Sequence, residues 1–204
     1  GRYRIARALA FPNFGSPRHF QPRLPKLSAA DGRLHLVYCG SVQQTPPGYE
    51  YPFARDMRTM FGQIAALGHP LHLHLGLYPG TELARYYNEL ASVPNIVIHP
   101  YQPFAVALRQ LTQYDVGLFP VELGSLRPAV AAGGEAALRA FPLSRADTLK
   151  QYEYVLAGLP VLAAPLTWVA GWVADNGFGA AFSSARNDVY GVRMPYCRPR
   201  RLIS

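Results

Sequence analysis

At 204 residues, half of them hydrophobic and 16% charged, the chain suits one α/β domain with a sizeable core and is too apolar for global disorder. Its net charge of +8 does not mark a nucleic-acid binder, because the surplus is terminal. Seven basic residues through Arg33 oppose Asp31 alone, and four arginines follow Asp188 with no acid, so the ends carry +10 and the body −2.

The two cysteines, Cys39 and Cys197, make neither a disulfide framework nor a metal spacing, and no apolar run follows Arg2, Arg4 and Arg7 as a signal peptide requires. The basic tails can touch anionic lipid or a partner domain, and solvated ends explain them equally well.

Taken in order, Ile5 to Phe11 reads as a short strand, followed by Pro12-Asn13 and a proline-rich run through Pro25. Leu34 to Tyr38 is a continuous apolar strand that Gly40-Ser41 turns sharply. A strand followed by a small-residue turn is how Rossmann-like units bring backbone close to phosphate. Neither G-x-G-x-x-G nor a Walker A pattern is present, so dinucleotide and P-loop readings lack support. Phe53 to Leu67 reads as a helix, with Met57, Met60, Phe61 and Ile64 on one face and Gly68 as its stop.

Leu71 to Leu75 alternates leucine with histidine, which places His72 and His74 on one side of a strand. That pairing raises a zinc site, but no cysteine or acidic third ligand accompanies it, and packing against a helix is the expectation. Glu82 to Leu90 is a second helix and Ile96 to His99 the next strand. The turn Pro100-Tyr101-Gln102-Pro103 sits at that strand's carboxyl end, where α/β folds bind ligands; a proline-capped helix start explains it as well. Phe104 to Leu111 is a helix, and Asp115 to Pro120 a buried strand.

Residues Glu122 to Ala146 break the rhythm, and a loop this long is expected to be functional or mobile. It should overhang the site that follows, where Arg127, Arg139 or Arg145 could reach a phosphate or a carboxylated sugar, although loop arginines are mostly solvated. The stretch Asp147 to Ala164 then runs as a short helix, a break at Gly158-Leu159-Pro160, and the apolar strand Val161 to Ala163. Lys150 and Glu153 lie one turn apart near the helix start, so they share a face. A helix start and a cation suit a diphosphate, and a carboxylate suits the vicinal hydroxyls of a ribose. An ordinary amphipathic helix with an ion pair fits the same residues. Val155 to Ala174 has no charge and is long enough to cross a bilayer, but its glycines and prolines favour a helix end, a strand and a second helix. Trp168 to Asp175 is that helix, and Ala180 to Phe182 a last short strand. The alternation implies a Rossmann-like, doubly wound, mostly parallel α/β sheet.

The pattern K-x-x-E-Y-x-x-x-G-x-P-V, from Lys150 to Val161, resembles the donor-site signature of GT4-like glycosyltransferases of the GT-B architecture. The order turn, helix, Y-D-V-G-L-F-P ahead of it resembles them too. The resemblance implies that this chain is the C-terminal, donor-binding half, with residues 1–27 as interdomain linker and remnant of an N-terminal domain. Residues 28–190 would be the donor-binding domain and 191–204 a basic tail.

It further implies that Lys150 meets the donor phosphates and Glu153 the ribose, as the two catalytic residues. Gly40, Ser41 and Thr148 join them in the donor site, and Tyr101 or Gln102 meets the base. The substrate would be a UDP- or GDP-sugar and the acceptor a glycan or lipid-linked molecule held by the missing domain, in polysaccharide or glycoconjugate synthesis. Transfer would be of the retaining type, with no metal or other cofactor required. The setting would be cytoplasmic, at most peripheral to the membrane.

Arg145 stands where many relatives carry a second, sugar-facing glutamate, which leaves that role unassigned. The alternative is a non-catalytic Rossmann-like interaction module. An epimerase of similar build would need carboxylates and histidines that the sequence does not place.

Overall fold

Strand β1 (Leu36–Gly40) is hydrogen-bonded on both sides, to β2 (Leu71–Leu75) and to β4 (Val116–Phe119), and the sheet grows outward from it. The computed structural model describes residues 17–42, 44, 57–120, 150–163 and 168–181. Strands β3 (Ile96–His99), β5 (Val161–Ala163) and β6 (Gly179–Ala181) complete a six-stranded sheet of order β3-β2-β1-β4-β5-β6, with every neighbour parallel. Helix α1 (Ser28–Asp31) precedes the sheet; α2 (Arg58–Ala65), α3 (Glu82–Asn88) and α4 (Phe104–Leu111) follow the first three strands, and α5 (Lys150–Leu156) and α6 (Trp168–Asp175) flank β5. This is the doubly wound, Rossmann-like α/β fold that the alternation implied.

Burial on both faces explains why β1 reads as an unbroken apolar run. Leu36 and Tyr38 point into a cluster with Phe61, Ala65, Tyr87 and Leu90, from the α2–α3 layer. Val37 points the other way, among Leu108 and Leu111 of α4, Tyr154 of α5, and Val169 and Val173 of α6. Thr81 caps α3 by accepting the Ala84 N–H at 3.2 Å. Helix α5 ends as its Gly-Leu-Pro sequence requires: Gly158 takes a left-handed φ of +70°, its N–H bonds Val155 O, and Leu159 N–H reaches Tyr154 O. Gly177 closes α6 in the same way.

The departures from expectation are small. The first strand runs Leu36–Gly40 rather than 34–38, because the Asp115 carboxylate takes the His35 N–H at 2.8 Å before the strand begins. The same carboxylate accepts from Ser28 Oγ at 2.7 Å, which ties α1 to the sheet. The helix expected over 82–90 is α-helical to Asn88 and finishes as a 3-10 turn, Glu89–Ser92. The uncharged stretch from Val155 to Ala174 divides among α5, β5 and α6, and no helix among the described residues is long and apolar enough to cross a membrane. The expected strand at 5–11, the start of the helix at 53–56, the loop at 122–146 and Thr148 lie outside the described residues.

Candidate functional site

The chain leaves β1 in one direction toward β2 and returns on its other side as β4, so the carboxyl ends of β1 and β4 flank the topological switch point. Ligands of doubly wound sheets bind in that crevice. The first residue of α5 fills it: Lys150 Nζ lies 4.1 Å from the centre of the ring of Tyr38, the middle residue of β1, and 5.9 Å from that of Phe119, the last of β4. The ammonium also lies against Gly40. A side chain at Gly40 would place its Cβ 2.6 Å from both Cε and Nζ of Lys150, so only glycine leaves room for the lysine there. Tyr38, fully buried, donates its hydroxyl proton to the Ser41 carbonyl at 2.8 Å, which fixes the turn next to the cation.

Glu153 follows one turn along α5 and is half-buried. Burial raises its carboxyl above the usual range, against the opposing pull of Lys150, and the two form no ion pair with each other. Both act on the Cys39 thiol at the end of β1: burial first and Glu153 second push it up to about 12, while Lys150 pulls it down. Lys150 and Glu153 are therefore grouped electrostatically at the end of the central strand.

Tyr154, the residue after Glu153, is the part of this site that the sequence reading passed over. Beyond Val37↔Gly117 the β1–β4 register ends, and the Tyr154 hydroxyl takes over the backbone groups left between them. It accepts the Cys39 N–H at 2.9 Å and donates to the Leu118 carbonyl at 3.0 Å. Its ring lies where a Cβ on Gly117 would fall, 2.5 Å away at the nearest atom. A glycine inside an otherwise bulky strand was the available signal, since such a residue marks close approach by another group. The tyrosine ties α5 to the ends of β1 and β4.

Tyr101 and Gln102 lie beyond β3, two strands from β1, hence roughly 10 Å across the sheet. Tyr101 is 59% exposed and lies beside Tyr78, which follows β2 and is 70% exposed, with ring centres 6.0 Å apart and planes 23° from parallel. The two form an aromatic shelf at the carboxyl edge. The Gln102 Oε1 is enclosed, with no hydrogen-bond partner among the described residues. The structure thus joins Lys150 to Gly40 and, through Tyr38, to Ser41, with Glu153 beside them. It sets Tyr101 and Gln102 apart on the same edge.

The histidines do different work. His72 and His74 are buried on the sheet face that carries α4, and a chain of polar contacts runs through them. His35 Nε2 meets both Asp31 carboxylate oxygens at 3.1 Å, and its Nδ1 meets His72 Nε2 at 2.9 Å. His72 Nδ1 then meets His99 Nε2 at 3.0 Å, and the Tyr114 hydroxyl meets His74 Nε2 at 2.8 Å. The Asp31 end, which can only accept, assigns the protons of His35, His72 and His99 to Nε2. The His72 ring then donates to His35 and accepts from His99. Burial first, and then the neighbouring histidines, lower His72 to about 4 and His74 to about 3, and a second proton on His72 would aim N–H at N–H. Among the described residues no group of His, Cys, Asp or Glu is arranged to hold a metal ion.

Strand order defines a Rossmann-like domain with its topological switch point at the β1–β4 boundary, where Lys150 lies. No protein-family profile matches the chain, and no curated protein matches it. Among solved structures it is similar to the crystal structure of WaaG, a glycosyltransferase involved in lipopolysaccharide biosynthesis, at 15% identity and a TM-score of 0.40. The match covers 85% of this chain and 42% of that one, so the chain spans less than half of its length. At that distance the sheet topology, not the match, carries the fold.

Proposed function

We propose that this chain is the donor-binding half of a GT-B-type glycosyltransferase, taking a UDP- or GDP-sugar and passing the sugar to an acceptor held by a second domain. The observation that supports it most is the Lys150 ammonium pressed onto Gly40 at the switch point. A diphosphate entering there meets that ammonium at the end of the central strand. Catalysis is then mainly stabilisation of the departing diphosphate by Lys150, with Glu153 holding the ribose and orienting the donor. The Tyr78–Tyr101 shelf lies about one nucleoside away along the strand ends and offers a stacking face for the base. Lys150 supplies the charge that a divalent ion supplies elsewhere, so no metal is part of this reading.

Titration calorimetry with UDP and GDP tests it, with ADP as the control. Lys150→Ala and Glu153→Ala should each weaken the preferred nucleotide about tenfold or more, as loss of a charge-assisted contact does. Wild-type affinity in both variants would refute it. Arg145, where a sugar-facing glutamate stands in the resembling enzymes, favours a second reading: a domain that keeps the fold without transferring sugar. A domain whose melting temperature is unmoved by all three nucleotides would be of that kind.

A further inference from the structure

Lys26 and Lys150 are the sole lysines in a sequence with eighteen arginines, so the cation at the crevice is of the rarer kind. A lysine is a compact charge on a flexible stem and needs to be held if it is to wait in one place for a phosphate. Among the described residues no carboxylate or carbonyl holds the Lys150 ammonium. The face of Tyr38 lies beneath it at 4.1 Å, well inside cation–π range, and that ring cannot turn away because it is fully buried against Phe61. The same ring ends in the hydroxyl that fixes the Ser41 carbonyl.

The geometry points to Tyr38 as the positioning residue of the donor site: its ring seats the Lys150 ammonium over the end of β1, and its hydroxyl sets the Gly40–Ser41 turn beside that charge. A π face attracts the ammonium without neutralising it, whereas a carboxylate in that place would form an ion pair that the diphosphate must break. Tyr38 thereby keeps the cation both located and available. Gly40 completes the arrangement by leaving the space that the lysine occupies. The inference rests on the donor-site reading for its meaning, but the seating of the lysine stands apart from it.

The test uses the full chain with lysine labelled in carbon-13 and nitrogen-15, where two lysines give two sets of side-chain signals. Lys150→Arg assigns them. The Lys150 Hε protons should be shifted upfield by the Tyr38 ring in the wild type and in Tyr38→Phe, and should return to the ordinary lysine position in Tyr38→Leu. Gly40→Ala, which expels the lysine while Tyr38 stays in place, should abolish the shift too and covers the case in which Tyr38→Leu fails to fold. An ordinary Hε position in the wild type would overturn the proposal.

Nucleotide affinity separates positioning from a structural role. Tyr38→Leu should weaken the preferred nucleoside diphosphate about threefold to thirtyfold, the range of a cation–π contact, and Tyr38→Phe less than about threefold. In a Lys150→Ala background, Tyr38→Leu should add nothing. Equal losses in both backgrounds would make Tyr38 merely structural and overturn the proposal. If Lys150→Ala leaves affinity intact, the donor-site reading falls and takes the positioning role with it, while a persisting upfield shift shows that the seat itself was read correctly.

Discussion

Acidification should destabilise this domain through its histidines before its ordinary carboxylates titrate. In the folded chain His72 is lowered to about 4 and His74 to about 3, against an ordinary value of 6.5 in the unfolded chain. Above pH 6.5 both states are neutral at these rings, and their contribution is fully present. As the pH falls below 6.5 the unfolded chain takes up protons that the folded chain refuses, and stability is lost. Each such ring approaches a cost of about 1.4 kcal/mol per pH unit once the unfolded imidazole is charged, so from pH 6.5 to 5 the pair removes about 3 kcal/mol. Single domains commonly hold only about 5–15 kcal/mol in total.

Three other groups bear on that window. Burial lowers His99 as well, which adds to the loss, whereas Asp31, held low by the Arg33 amide and then by His35, releases its share only at lower pH. Glu153, raised by burial, works in the opposite sense and favours the folded state as it protonates. Urea midpoints followed by circular dichroism at pH 7, 6 and 5, with the m-value unchanged, measure the effect. A midpoint flat across that range would refute the reasoning, as would imidazole resonances of His72 and His74 that titrate near 6.5 in the native protein.

Further outcomes follow from the crevice. Glu153→Gln removes a half-buried carboxylate whose charged form burial disfavours, so its melting temperature should equal or exceed the wild type while nucleotide affinity falls; a clear loss of stability would contradict this. Tyr154→Phe leaves the Cys39 N–H and the Leu118 carbonyl without their shared partner and should cost about 1–3 kcal/mol in urea unfolding. The Cys39 thiol, raised to about 12, should react with iodoacetamide at pH 8 roughly a thousandfold slower than an ordinary thiol, measured by mass spectrometry in a Cys197→Ser background. Rapid native alkylation would show that the thiol is neither buried nor raised.

Much of this domain is written in runs of ten residues or fewer. The leucines of Leu71 to Leu75, the apolar face of the helix through Met60, Phe61 and Ile64, and the Gly-Leu-Pro stop after α5 each specify their element through local sterics and periodicity, so the parallel α/β class followed from the sequence. That Lys150 and Glu153 sit one turn apart on one helix was legible for the same reason, since their spacing is a property of that helix. Their surroundings were not.

That the lysine rests on Tyr38 and Gly40, that Tyr154 bridges two strands from a residue 115 positions away, and that His35, His72 and His99 form one chain of contacts all depend on which strand lies beside which. Local pattern sets each strand's faces but not its neighbours. Neighbours are chosen by the packing of the whole sheet, and in choosing β4 for β1 that packing brought a cation, a carboxylate and a bare strand end to one place.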